Sequence, residues 1–435
     1  MVTVIGAGLA GCEAALYLAR HGVPVTLMEQ KPLHRSAAHH SDGFAELVCS
    51  NSLKALRKGS SSGLLKMEME LLSSETVAAA KQCAVPAGGA LAVDRKRFSD
   101  ILTARIKENP LITLKASRVD ALPEGPVIIA TGPLTDESFV PVIERLCGGR
   151  LSFFDAAAPI VKKDSIDMSR AFFGARYGRG TADYINCPMN EEEYNSFYTA
   201  LISAEAVELK AFEKDSFRVY EGCMPVEVMA KRGRQTLLYG PLRPVGIYDP
   251  VTDKRPFAVV QLRAENKEGT LYNLVGFQTN LKFPEQKRVF SLIPALHDAE
   301  FARYGVMHRN TFIDSPRVLN PDLSLKTEGR VFFAGQMTGV EGYMESAACG
   351  IVAAMQCFRK LKGLAPFTFP PDTMLGGLMG HIVNEATGDF QPMGSNMGLL
   401  PPLSTRVKGK QERYELLADR ALASLGDALK KEEVQ

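Results

Sequence analysis

Val2-Thr3-Val4-Ile5-Gly6-Ala7-Gly8-Leu9-Ala10-Gly11 is the stretch from which the fold is read. Its four leading β-branched residues predict a short strand. Gly6-x-Gly8-x-x-Gly11 follows at once, and Leu9, Cys12, Leu16 and Ala19 then recur at the three- and four-residue spacings of a helix face. Gly22, after Arg20 and His21, ends that helix, and Val23-Pro24-Val25-Thr26-Leu27-Met28 reads as the next strand, closed by Glu29. A glycine run of this kind is weak by itself. Between a strand and a helix, with an acid ending the following strand, it has the context of a dinucleotide-binding turn. Gly6 permits the tight turn, Gly8 lets the backbone approach a pyrophosphate, and Gly11 allows close helix packing. The unpaired N–H groups at the helix start favour phosphate charge, and Glu29 can accept hydrogen bonds from a ribose. Gly6, Ala7, Gly8, Leu9, Ala10, Gly11 and Glu29 are therefore candidate cofactor-binding residues.

The rest of the chain is of ordinary globular make-up. Its 435 residues allow two or three domains. With 46% hydrophobic and 23% charged residues it is neither disordered nor fibrous. Lys+Arg 51 against Asp+Glu 49 excludes a global polycation but leaves room for a local basic face. The chain opens directly in a strand with no basic segment before it, so no signal peptide is expected. No apolar run approaches the roughly 20 residues of a membrane span, and a soluble cytoplasmic protein is the expectation. The eight cysteines (Cys12, Cys49, Cys83, Cys147, Cys187, Cys223, Cys349 and Cys357) are scattered, with no C-x-x-C pair. That spacing argues against a disulfide framework or a zinc site, and no metal is expected.

Residues 30–65, with His34, His39, His40, Cys49, Asn51 and Ser52, read as a long irregular polar loop. Further on, the pattern predicts a helix over 95–108, a strand Pro126–Gly132, and a capping box of Asn190 and Glu193 opening a helix. It also predicts a strand Phe257–Leu262, a helix from Pro284, a strand Arg330–Gly335, and a helix carrying Ile351, Ala354, Met355 and Phe358. Pro366, Pro370 and Pro371 mark a linker, and 409–431 reads as a charged surface helix. The fingerprint, Ala130-Thr131-Gly132, and the late strand running into Met337–Tyr343 together resemble flavoproteins related to glutathione reductase. That resemblance implies FAD, and adds Gly132, Gly335, Gly342, Tyr343 and Ser346 to the cofactor-binding candidates. The expected fold class is α/β. A Rossmann-like FAD-binding domain of the glutathione-reductase type would be built from 1–150 and 300–370. An inserted α+β substrate or RNA domain would span 151–299, with a C-terminal helical segment, 371–435, packing on the FAD domain.

Two cysteines stand apart. Cys49, in Glu46–Leu53, and Cys223, in Glu221–Glu227, lie beside polar or turn residues, whereas Cys12 and Cys349 sit among alanines on helices and read as packing. A lone cysteine is more often a small buried hydrophobe than a reactive group, and composition does not separate the two for Cys49 or Cys223. The Phe44–Leu53, Pro86–Arg95, Gly276–Thr279, Tyr304–Thr311 and Gly335–Gly350 stretches, taken with the fingerprint, resemble in order and spacing the TrmFO family over nearly the whole chain. These are folate- and FAD-dependent tRNA uracil-5-methyltransferases.

The resemblance implies methylation of uridine C5 in tRNA, at the T-loop uridine 54, to form ribothymidine. The carbon would come from 5,10-methylenetetrahydrofolate by way of FAD, with NADH or NADPH as reductant. It further implies Cys223 as the nucleophile that adds to uracil C6 and Cys49 as the acid/base partner, with the order of these roles open. A thiolate suits the first task because it attacks readily and leaves again. His308 would stack on the folate pteridine, although from the residues alone it reads as a hydrogen-bonded loop histidine. His39-His40 reads as a solvated or loop pair.

RNA phosphates would be met by Lys54, Arg57 and Lys58 after Cys49, and by Lys231, Arg232 and Arg234 after Cys223; such contacts position RNA without reading its sequence. Two departures from the family stand out. The Lys54–Gly63 loop lacks an expected Asn-Ala pair, which opens a ribosomal RNA uridine as an alternative target. Phe283 stands where relatives often carry Trp. Among rivals, the wobble-uridine GidA/MnmG flavoproteins carry a C-terminal helical region larger than the 65 residues after Pro370. A disulfide reductase would need a close cysteine pair and a second glycine fingerprint. A non-catalytic FAD-containing RNA-binding protein would be indifferent to Cys223→Ala.

Overall fold

The computed structural model describes residues 1–36, 38–149, 151–156, 158–178, 181–207, 224–266, 268–305, 307–386 and 390–433. Val2–Ile5 is buried along its whole length because it has a parallel neighbour on each side, Val25–Glu29 and Val127–Ile129. The complete sheet runs Val331–Phe333, Val127–Ile129, Val2–Ile5, Val25–Glu29, Ile112–Ala116, all parallel. Central parallel strands covered on both faces read as unbroken apolar runs, which is why Val-Ile-Ile and Val-Phe-Phe are legible in the sequence. The chain leaves the central strand to build the sheet outward in both directions. This creates a switch point at the carboxyl ends of Val2–Ile5 and Val127–Ile129, where open α/β sheets bind ligands. Helices Leu9–Arg20 and Tyr343–Leu361 pack on each other. A Cβ on Gly350 would run into the Ala10 backbone.

A second unit holds its own apolar core between Ala158 and Ala299. Its antiparallel sheet runs Phe172–Gly174, Tyr184–Met189, Ala258–Ala264, Leu271–Leu274, Ile160–Lys162, Phe301–Arg303. Helix Glu191–Ser203, opened by the predicted capping box, buries Tyr194, Phe197 and Leu201 against this sheet. The chain passes between the two units on one antiparallel pair of strands, Leu151–Ala156 with Met307–Phe312.

Two expectations need correction. Residues 30–65 are not irregular throughout. Ser52–Ala55 is a strand paired with Ala90–Val93, and helix Ser61–Leu71 starts at Ser60, whose hydroxyl accepts from the Gly63 N–H. The strand is short and stands on a partner far along the chain. The helix hid its buried face because Lys66 and Glu68 lie on it. The C-terminal helix, Lys410–Glu433, is not wholly a surface element either. Leu417, Ala418, Ala421 and Leu425, at helical spacing, are buried in the core of the first unit. Glu68 anchors the same region by accepting from the Met374 and Leu375 N–H groups at 2.7 and 2.8 Å, which caps helix Met374–Ile382. Burial pushes this carboxyl up to about 7 against those two bonds.

Candidate active site

The glycines of the opening turn have distinct duties. Gly6 has a φ of +97°, and a Cβ on it would lie 2.6 Å from the Ala130 carbonyl oxygen; a Cβ on Gly11 would overlap the Gly6 carbonyl oxygen. Both positions are needed for the chain to pack on itself. A Cβ on Gly8 would meet nothing within 4 Å and would point into open space. Gly8 also starts helix Leu9–Arg20 with no side-chain cap, so its first N–H groups face outward.

The cleft beside it is lined in part by Gly6, Ala7, Gly8, Glu29, Ala130 and Thr131. Glu29 accepts from the Ala7 N–H at 2.7 Å on one oxygen and from the Lys31 N–H at 2.9 Å on the other. A lone pair on each oxygen remains for a ribose hydroxyl. An open glycine cradle, an uncapped helix start and an oriented carboxylate are what a dinucleotide such as FAD requires, and these residues fit it. Leu9 and Ala10 are buried below the turn rather than lining the cleft. A Cβ on Gly335 would lie 2.8 Å from Ala10 Cβ and 3.9 Å from Ser346 Cβ, so the late elements close directly over the first helix. Gly342 begins helix Tyr343–Leu361, again without a side-chain cap, and Gly132 follows Thr131 at the cleft wall with a positive φ. His39 also lines the cleft, its Nδ1 2.6 Å from Ser36 Oγ, and burial followed by the Lys31 charge lowers its pKa. It is a half-buried loop residue, beside the exposed His40.

Cys49 lies where the two units meet. The phenol oxygen of Tyr343 receives the N–H groups of Cys49 (2.8 Å) and Ser50 (3.3 Å) and is 2.9 Å from Cys49 Sγ. Burial first, and the charge of Cys49 second, push the Tyr343 hydroxyl well above its ordinary pKa, so it keeps its proton. Arg95 donates to the Leu47 and Val48 carbonyls just before Cys49 and to Glu265 at 2.5 Å across the boundary between units. Arg263 donates to Asn51 Oδ1 and Ser50 Oγ, and Asn51 donates to the Ala264 carbonyl. Several buried atoms here find no partner among the described residues: Arg95 Nη2, Arg303 Nε and Nη2, Glu265 Oε1 and Asn273 Nδ2. Buried polar atoms are normally paired. Among the described residues this set is a cluster of unpaired polar atoms around the boundary of the two units.

Cys223 lies outside the described residues. The chain that follows it is firmly held: the Val226 N–H donates to the Gln278 carbonyl at 2.7 Å, and Glu227 accepts from Thr279 Oγ1 and the Asn280 N–H. His308 pairs with Asp155 in the strands that join the units, and its side chain is outside the described residues. Cys12 and Cys349 are fully buried on helices, as their setting predicts. Of the basic candidates, Lys54, Arg57, Lys231 and Arg232 are exposed. Lys54 pairs with buried Glu345 at 2.9 Å, and Lys58 with Asp419 at 2.6 Å. Arg234 is bound to Asn195 and Glu191 and lies over the Phe257 ring. Phe283, half-exposed, stacks on Tyr304 at 4.9 Å. Sequence reasoning missed Arg95, Arg263, Glu265 and Arg303 as site residues. The available signal was three charged residues on or beside apolar strands, at Arg263, Glu265 and Arg303. Among the described residues no group of three or more His, Cys, Asp or Glu is placed to hold a metal, and no helix is long and apolar enough to cross a membrane.

The sheet order and the glycine cradle define a Rossmann-type dinucleotide-binding fold. Residues 1–365 match the family described as "Glucose inhibited division protein A", GIDA, and the chain belongs to that family, within its TrmFO group. It is 55% identical over 431 residues to the "Methylenetetrahydrofolate--tRNA-(uracil-5-)-methyltransferase TrmFO" of Listeria innocua, covering 99% of this chain and 98% of that one. It is 56% identical over 426 residues to the protein of the same name from Heliobacterium modesticaldum, covering 98% and 97%. Among solved structures, Aquifex aeolicus GidA superposes with a TM-score of 0.69 at 16% identity, over 99% of this chain and 75% of that one. At that identity the likeness speaks for the fold.

Proposed function

We propose that this protein transfers a one-carbon unit from 5,10-methylenetetrahydrofolate to C5 of a uridine in tRNA, the T-loop uridine 54, with FAD as cofactor and NADH or NADPH as reductant. The observation that carries this reading is the 55–56% identity over nearly the full length with proteins named for that activity; the polar setting of Cys49 against Tyr343 supports it. Residues 1–150 with 300–370 would hold FAD, 151–299 would serve folate and RNA, and 371–435 would brace the FAD domain. The enzyme would work in the cytoplasm on tRNA, without membrane or metal.

Bound FAD would supply a carrier for the folate carbon and for the reducing equivalents of NADH or NADPH. The chain's own residues then have defined tasks. Gly6, Gly8, Gly11 and the helix start hold pyrophosphate, and Glu29 holds ribose. The Cys223 thiolate forms a bond to uracil C6, which makes C5 enolate-like and able to take up the carbon unit. Cys49 then removes the C5 proton. The electron pair left behind restores the C5–C6 double bond and expels the Cys223 sulfur. Arg95, Arg303 and Asn273 offer N–H donors to a pteridine or uracil, and His308 stacks on the pteridine. Lys54, Arg57, Lys231 and Arg232 are the exposed basic candidates to meet phosphates, with Lys58 and Arg234 more covered.

The test is methyl incorporation into unmodified tRNA with methylenetetrahydrofolate and NAD(P)H, beside parallel reactions on ribosomal RNA and with S-adenosylmethionine as donor. Folate-dependent methylation of tRNA alone is the expected result, and Cys223→Ala should lose it while staying yellow with FAD. Methylation of ribosomal RNA instead would move the target, and full activity in Cys223→Ala would remove the nucleophile.

A further inference from the structure

We infer that Tyr343 is a positioning residue for Cys49: it gathers the Cys49 and Ser50 amides on its oxygen and donates its own hydrogen to the Cys49 sulfur, so that this sulfur is held as an acceptor where the two units meet. The argument is one of hydrogen-bond capacity. A phenol has one hydrogen to give and two lone pairs to receive with. Both lone pairs of Tyr343 are engaged by backbone N–H groups, which act only as donors. The phenol hydrogen must then point elsewhere, and among the described residues the sulfur at 2.9 Å is the acceptor at hand. A neutral S–H aimed at the same oxygen would crowd a third donor onto it and strand the phenol hydrogen in a buried place, which is costly. A sulfur that accepts removes the conflict, and the bond it accepts from the phenol is stronger when the sulfur is ionised.

The charged surroundings act in the same sense. Arg95 and Arg303 both interact electrostatically with Cys49. Arg95 is tied to the two residues before Cys49, and Arg263 to the two after it. The opposing carboxylate, Glu265, is engaged by Arg95. Two guanidinium groups, Arg95 and Arg303, favour a negative sulfur. Tyr343 thus links the start of the cofactor-facing helix to Cys49, 294 positions away in sequence. The inference deepens the proposed reaction and rests on it for its purpose. A base that takes up the C5 proton must start as a thiolate; the C5–H bond then breaks as the S–H bond forms.

The experiment is the pH dependence of Cys49 alkylation by iodoacetamide, read by peptide mass spectrometry on FAD-loaded parent and Tyr343→Phe proteins. The parent midpoint should fall below the ordinary thiol value of about 8.5. In Tyr343→Phe it should rise by about one pH unit or more, making alkylation about tenfold slower at neutral pH. Equal midpoints in the two proteins overturn the inference. Should the variant lose FAD or fail to fold, the parent decides alone: a midpoint at or above about 8.5 overturns it, and a lower one supports it. The measurement needs no RNA and no methylation, so its failure is distinct from failure of the proposed reaction.

Discussion

Between Gly6 and Gly11 the groups that shape the turn are near neighbours in the chain, meeting one another and the end of the adjacent strand at Ala130. The corner around Cys49 draws on Cys49, Arg95, Glu265, Arg303 and Tyr343, from five separate stretches and both units. The turn is specified by steric exclusion: two positions admit no Cβ, and a third must stay open for a ligand. The corner is specified by polar pairing that exists only once the units dock, and it keeps several donors unpaired. The difference teaches that cofactor affinity and reactive-group placement can fail independently in this molecule.

That separation can be broken or sharpened by substitution. The largest effect is expected for Gly11→Val, whose side chain would displace the Gly6 carbonyl. A stability loss on the order of 4 kcal/mol and loss of flavin should appear together in thermal unfolding and in flavin absorbance. A stable, yellow Gly11→Val would mean that the turn is not sterically determined. Next comes Glu265→Gln, which leaves the largely buried Arg95 guanidinium without its counter-charge. Urea unfolding should show a loss of about 3 kcal/mol, with FAD still bound. A change below about 0.5 kcal/mol would deny the ion pair a part in docking the units. The smallest stability effect is expected for Gly8→Ala, within about 0.5 kcal/mol of the parent. Its FAD dissociation constant should nonetheless rise about tenfold or more, because the added methyl occupies cofactor space. An unstable Gly8→Ala with unchanged FAD affinity would reverse the duties given to Gly8 and Gly11.

Much of the first unit was legible. Val2–Ile5, Val127–Ile129 and Val331–Phe333 announced themselves because a strand covered on both faces has to be apolar throughout. Asn190 and Glu193 announced a helix because a capping box is a local exchange of two hydrogen bonds. Residues 52–71 were not legible: the strand Ser52–Ala55 depends on a partner nearly forty residues on, and Lys66 and Glu68 interrupt the buried face of the next helix. His39 lies in a loop, as its setting suggested, but its place on the cleft wall was not legible because the other walls come from distant segments.

By itself the amino-acid sequence determined the four inner strands Val2–Ile5, Val25–Glu29, Val127–Ile129 and Val331–Phe333, the glycine turn and the acid that follows it. Those features rest on backbone sterics and apolar periodicity, which act over a few residues. The tertiary structure alone decided that Tyr343 holds Cys49, that Arg95 and Glu265 join the two units, and that Arg303 has donors without partners among the described residues. Hydrogen bonds between distant side chains leave no period in the sequence, because their geometry comes into being only when the sheets and helices carrying them have packed.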